Sequence, residues 1–75
     1  MKYKDIIERV SWGEEFFFFY NGEKYWISQN ESGFYLTRVK GSKTQSFQTA
    51  QELFENGLVE EKTLAEIWHT IKEYF

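Results

Sequence analysis

Residues 16–20 read Phe-Phe-Phe-Phe-Tyr, residues 21–22 Asn-Gly, and residues 23–27 Glu-Lys-Tyr-Trp-Ile, so seven aromatic side chains crowd into one short segment. Bulky aromatics favour strand, and Asn-Gly is the strongest short signal for a two-residue hairpin turn, because both central residues must take positive φ. Taking Asn21 and Gly22 as the loop pairs Phe16 with Ile27, Phe17 with Trp26, Phe18 with Tyr25 and Phe19 with Lys24. Successive strand side chains point to opposite faces, so the run cannot enter one core. One face receives Phe16, Phe18, Tyr20, Tyr25 and Ile27; the other receives Phe17, Phe19 and Trp26, diluted by Glu15, Lys24 and Ser28. The richer face is expected to be the core and the diluted one to be partly exposed. A one-residue slip would exchange them, which the turn chemistry opposes.

The remaining pattern has no linkers, repeats or low-complexity tracts, and residues 1–75 are expected to form a single domain. Tyr3, Ile6, Ile7 and Val10 make one stripe of an amphipathic helix that Gly13 can end, with Trp12 expected to pack beneath its exit. Strands are expected at 14–20 and 23–29. A loop holding Asn30 and Ser32 then leads from Gly33 into a third strand from Phe34 to about Lys40, and a short fourth strand is expected at Gln45 to Gln48. The loop has no unique turn reading, so the faces of Phe34, Leu36 and Arg38 against Tyr35, Thr37 and Val39 stay open. Thr49-Ala50-Gln51-Glu52 and Thr63-Leu64-Ala65-Glu66 both fit the capping box and start helices. The first buries Ala50, Leu53 and Phe54 before Asn56-Gly57; the second aligns Leu64, Ile67, Trp68, Ile71 and Phe75. The expected fold is α+β, ordered α-β-β-β-(β)-α-α: an antiparallel meander of three to four strands with helices mainly on one face.

Seventy-five residues bury only about 60 to 65 percent of the surface exposed in the unfolded chain, so the core is thin and the 21 percent aromatic content compensates. There is no cysteine and one histidine, which excludes disulfides, thiolate metal sites and histidine-rich sites; no cofactor is expected. The charged start Met1-Lys2-Tyr3-Lys4-Asp5 has no signal-peptide pattern, and no apolar stretch approaches the ~20 residues that span a membrane, so a cytoplasmic chain without membrane contact is expected. Net charge is +1 over residues 1–13, zero over 14–48 and −4 over 49–75. The acidity belongs to the C-terminal helices, which argues against duplex DNA, where phosphate neutralisation dominates affinity.

Catalytic chemistry finds little support. Glu14 and Glu15 are neighbours on a strand and diverge, and Glu60-Glu61 is explained by the favourable dipole at the start of the last helix. His69 falls on that helix's polar flank. No phosphate loop, zinc-binding helix or nucleophile elbow is present, so no catalytic or metal-binding residue is assigned. The binding candidates are Phe17, Phe19, Trp26, Lys24 and Tyr35, the last on either the patch or the core. The three aromatics of the diluted face carry about 500 Å² if bare, enough for a docking patch. The competing structural reading is that the N-terminal helix or a second copy covers them. A second functional reading is single-stranded nucleic acid, with bases stacked on the rings beside Lys24, Arg38, Lys40 and Lys43.

Gly13-Glu14-Glu15, Tyr20-Asn21-Gly22, Tyr25 and Lys62-Thr63-Leu64 with Ile67-Trp68 carry a resemblance. Across nearly its whole length the chain resembles short uncharacterised proteins of Gram-positive bacteria and of their phages and mobile elements. Those positions are a turn, a cap and core residues, so the resemblance implies a fold and transfers no catalytic residue. Small proteins of mobile elements are often inhibitors or immunity factors that work by binding. The expectation is therefore a non-enzymatic module that binds another protein, or a second copy of itself, through Phe17, Phe19 and Trp26.

Overall fold

The computed structural model describes all residues, 1–75, and its first hairpin forms as the turn chemistry dictates: Asn21 and Gly22 take φ of 50° and 80°. β1 (Phe16–Tyr20) and β2 (Glu23–Asn30) pair antiparallel with Phe16 opposite Ile27, Phe17 opposite Trp26, Phe18 opposite Tyr25 and Phe19 opposite Lys24. β3 (Gly33–Arg38) and β4 (Lys43–Phe47) extend the meander into a four-stranded sheet in the order β1-β2-β3-β4. The first strand starts two residues later than expected, and the third ends at Arg38 rather than Lys40. The fourth strand is real but shifted two residues toward the N-terminus at its start.

The undetermined loop is a two-residue connection, Glu31-Ser32, between paired Asn30 and Gly33. Asn30 Oδ1 accepts from the backbone N–H of Ser32 at 2.7 Å and of Gly33 at 3.2 Å, an Asx-type turn that closes the reversal. Ser28 then sits opposite Tyr35 and Trp26 opposite Thr37, which assigns Tyr35 and Thr37 to the Trp26 face and Leu36 to the core.

Helices occupy one side of the sheet. α1 (Tyr3–Ser11) lies beneath β2, α2 (Ala50–Asn56) beneath β3 and β4, and α3 (Leu64–Ile71) beneath β1. Their stripes, Ile6-Ile7-Val10, Ala50-Leu53-Phe54 and Leu64-Ile67-Ile71, close with Phe18, Tyr25, Ile27 and Leu36 into one buried cluster. Tyr3 joins all three helices, standing edge-on to Phe54 at 5.8 Å and to Trp68 at 5.6 Å between ring centroids. No helix is long and apolar enough to cross a membrane.

Several local expectations need correction. Trp12 is 70% exposed rather than packed beneath the end of α1; the chain leaves through Gly13 at φ 106°, which turns it away. Only the Thr63 box is complete: Thr63 N–H donates to Glu66 Oε1 at 2.9 Å and Glu66 N–H returns to Thr63 Oγ1 at 3.2 Å. At Thr49 the hydroxyl accepts from Glu52 N–H at 3.0 Å, and Glu52 caps nothing in return. Residues 58–63 form an unexpected hairpin, β5 (Leu58–Val59) against β6 (Lys62–Thr63), with Glu60 and Glu61 as its turn at φ 50° and 70°. The pair of glutamates is thus a left-handed turn, where non-glycine residues are uncommon, rather than a complement to the helix dipole. Two contacts seat this hairpin. Asn21 Nδ2 donates to both Glu60 carboxylate oxygens at 3.2 Å, and Gln45 exchanges two hydrogen bonds with the Leu58 backbone at 2.7 and 2.8 Å.

Candidate functional site

The outer face of the sheet carries no helix. From the β1 edge its central row runs Phe17, Trp26, Thr37, Thr44; Phe19 and Lys24 form the row toward the Asn21-Gly22 turn, and Ser28, Tyr35 and Ser46 the row on the other side. Phe17 is 49% exposed and Phe19 44%, whereas Trp26 is half-buried. The alternative in which the N-terminal helix covers these rings does not hold in this structure, because α1 sits on the opposite face of the sheet.

The rings are held in place. Phe17 and Trp26 stack across the strands with centroids 5.7 Å apart and planes 10° from parallel. The Lys24 ammonium lies over the Phe17 ring, 4.3 Å from its centroid, a cation–π contact that keeps the lysine arm on the face. Trp26 Nε1–H donates to Glu15 Oε1 at 3.2 Å, giving the indole its polar partner. Glu14 turns elsewhere, toward Arg9 at 3.8 Å, so the adjacent carboxylates do diverge. Phe19 meets Tyr74 at 6.0 Å, where the chain runs from α3 through a single 3₁₀ turn, Lys72–Tyr74, along the β1 side of the sheet.

Four of the five sequence candidates, Phe17, Phe19, Trp26 and Lys24, come together. Tyr35 shares the face but stands apart, its hydroxyl donating to Asn30 Oδ1 at 2.9 Å and so bracing the β2–β3 turn. Two exposed neighbours escaped sequence reasoning. Val39, 43% exposed, is brought beside Lys24 by its N–H bond to the Lys24 carbonyl at 3.1 Å. Tyr74, also 43% exposed, reaches Phe19 only because α3 folds back under β1, and no local pattern signals that contact.

Electrostatics mark the inner side of the hairpin more than the outer. Burial raises the Tyr25 hydroxyl above its ordinary pKa; the Arg38 guanidinium opposes that rise, and Glu60 and Glu23 add to it. Glu23 also pairs with Arg38 at 3.3 Å. No group of three or more His, Asp or Glu side chains gathers in a metal-binding arrangement, and the surface has no enclosed pocket. What the arrangement offers chemically is an open aromatic platform with a fixed cation. No protein-family model, curated protein or solved structure matches this chain, so the functional reading rests on this geometry.

Proposed function

We propose that this chain is a non-enzymatic protein-binding domain that docks its partner through Phe17, Phe19 and Trp26, with Lys24 beside them and Tyr35 at the margin. One observation carries the reading: Phe17 and Phe19 stand about half exposed on a helix-free sheet face. Together they leave about 200 Å² of ring surface open, whose burial against a partner is worth about 5 kcal/mol. In a chain with so thin a core, that surface is costly to leave wet. Pre-stacking on Trp26 and the Lys24 contact hold Phe17 in one orientation before binding, which lowers the entropy cost of docking.

The same detail favours protein over single-stranded nucleic acid. Base stacking needs a free ring face, and the Phe17 ring is already engaged by the indole and the ammonium. An inhibitor or immunity-type role is the form we propose for this binding. The test is capture of partners from host extract by the wild-type chain and by a Phe17→Ala/Phe19→Ala variant whose far-ultraviolet circular dichroism matches wild type. A protein retained by wild type after nuclease treatment and lost by the variant supports the reading. Retention by both, or loss of all binding on nuclease treatment, overturns it.

A further inference from the structure

We propose that the free edge of β1 pairs antiparallel with the β1 edge of a second copy of this chain, joining the two sheets into one. The inference stands on the backbone of the strand and goes beyond the docking reading, so the two can fail separately.

Strand β1 stands first in the sheet order, so one of its sides has no neighbouring strand. The backbone groups on that side follow from one hydrogen bond. Val39 N–H donates to the Lys24 carbonyl at 3.1 Å, so the Lys24 backbone faces β3. Phe19, opposite Lys24, is therefore its non-hydrogen-bonded partner, and the Phe19 N–H and C=O point away from β2; those of Phe17, two residues back, do the same. No turn, loop or cap hydrogen bond of the backbone reaches either residue. The 3₁₀ turn alongside brings the Tyr74 ring to Phe19 but keeps its own bond internal, from Phe75 N–H to the Lys72 carbonyl. The edge also lacks the guards that keep strands apart: residues 16–20 carry no charge and no proline, and they pair with β2 without a bulge. At the opposite edge β4 has Lys43 and the polar Thr44, Gln45 and Ser46.

This pattern is its own complement. A two-fold axis at Phe18 sets Phe17 against Phe19 of the second copy, and each such pair exchanges both N–H···O=C bonds, so the free groups of both chains are satisfied together. Phe16 then faces Tyr20 of the second copy, both half-buried in the single chain. The seam opposes no like charges. Lys24 lies three strand spacings and one row from Lys24 of the second copy, about 15 Å, beyond the Debye length of about 8 Å. The acids near the ends of β1 are engaged within their own chain, Glu15 by Trp26 Nε1 and Glu60 by Asn21 Nδ2. Tyr74, 43% exposed, turns from Phe19 to admit the second strand. Pairing of β1 with β4 of another copy offers Phe17 and Phe19 only polar neighbours, and it leaves an edge open for further growth. Five residues give about 17 Å of edge, an interface well short of the ~800 Å² per partner of a stable complex, so the dimer is weak and reversible. Its consequence is a wider platform, because Phe17, Phe19 and Trp26 of both copies then share one continuous face.

The experiment combines sedimentation with residue-resolved amide hydrogen exchange of the full chain from about 20 μM to about 2 mM, the range of weak association. Reversible dimers are expected. The Phe17 and Phe19 amides should exchange fast in dilute solution and slow by about fivefold at the highest concentration, while those of Phe16, Phe18 and Tyr20, bonded to β2, are slow throughout. Phe17→Lys/Phe19→Lys sets ammonium against ammonium and should stay monomeric; Phe17→Glu/Phe19→Lys sets each carboxylate against an ammonium of the second copy and should recover the dimer at low salt. The wild-type exchange pattern decides the question even where a variant fails to fold. Dimers that leave Phe17 and Phe19 exchanging fast, protection of Thr44 and Ser46 in species larger than a dimer, or equal association of the two variants overturns the proposal. A chain monomeric at every concentration overturns it too, and if that monomer still captures a host protein through Phe17 and Phe19, the docking reading survives.

Discussion

Phe17–Trp26 and Phe18–Tyr25 are two cross-strand aromatic pairs one residue apart on the same hairpin. Their geometry is nearly identical, with centroids 5.7 and 5.3 Å apart and planes 10° and 11° from parallel. Their surroundings are opposite. Phe18 is fully buried and Tyr25 is 4% exposed, under α3 and the C-terminal Phe75, which tilts against Phe18 at 5.9 Å, whereas Phe17 is half in solvent. Stacking alone therefore says nothing about role. Strand parity chooses the face, and the helices then decide that one face is core.

The largest way to break this contrast is to delete one ring from each pair. Phe18→Ala should cost about 3 to 5 kcal/mol, most of the stability of so small a domain, read as loss of the cooperative urea transition. Phe17→Ala at a comparable cost would show that the outer pair is structural.

Alkaline titration separates the pairs next, because only the inner one contains a tyrosine. The folded pKa of Tyr25 is raised chiefly by burial, so its contribution to stability is complete below the ordinary value of 10.0 and is lost as pH rises through the higher folded value. Tyr3 is raised for the same cause, with Glu55 adding to it. Urea midpoints should fall above pH 10, and Tyr3→Phe with Tyr25→Phe should flatten that fall. An unchanged fall in the double variant would remove the tyrosines from the account.

A smaller effect concerns the turn bonded to Asn21. Glu61→Gly should stabilise the chain by about 1 kcal/mol, since glycine takes φ 70° without the left-handed penalty. It should leave the Phe17 and Phe18 environments unchanged, because Asn21-Gly22 alone sorts the rings. A destabilised variant, or shifted ring resonances in both pairs, would show that the second turn takes part in that sorting.

Smallest in stability is the outer deletion itself. Phe17→Ala should cost within about 1 kcal/mol, the scale of one stacked pair, while removing partner capture. The Thr63–Glu66 cap offers an independent check at acid pH. Its hydrogen bonds, first that to the Thr63 backbone, lower the Glu66 pKa below 4.5, so its contribution is present above that value and lost as pH falls through the folded one. Thr63→Ala should weaken that acid dependence and cost about 1 kcal/mol; an unaltered acid limb in urea titrations would contradict it.

Much of the fold was legible locally. The register of β1 and β2 follows from Asn21-Gly22, since those two residues accept positive φ and leave no freedom in how the strands align. The three helices follow from apolar spacing and from Thr49 and Thr63, since a cap acts within one turn of chain. The candidate face followed from parity, so Phe17, Phe19, Trp26 and Lys24 were nameable together. Glu60-Glu61 was not legible as a turn, because its residue types disfavour the left-handed conformation that bonds to Asn21 and Gln45's grip on Leu58 help to support.

What the sequence determined by itself, then, is everything governed by neighbours in the chain: which rings share a side, where helices begin, where the first hairpin turns. Tertiary structure alone decided which side stays wet, that Trp12 points outward and that Tyr74 meets Phe19. The physical reason is range. Turn and cap preferences act over a few residues, whereas exposure depends on where α1, α2 and α3 come to rest, which is set by burying all three stripes together on one face.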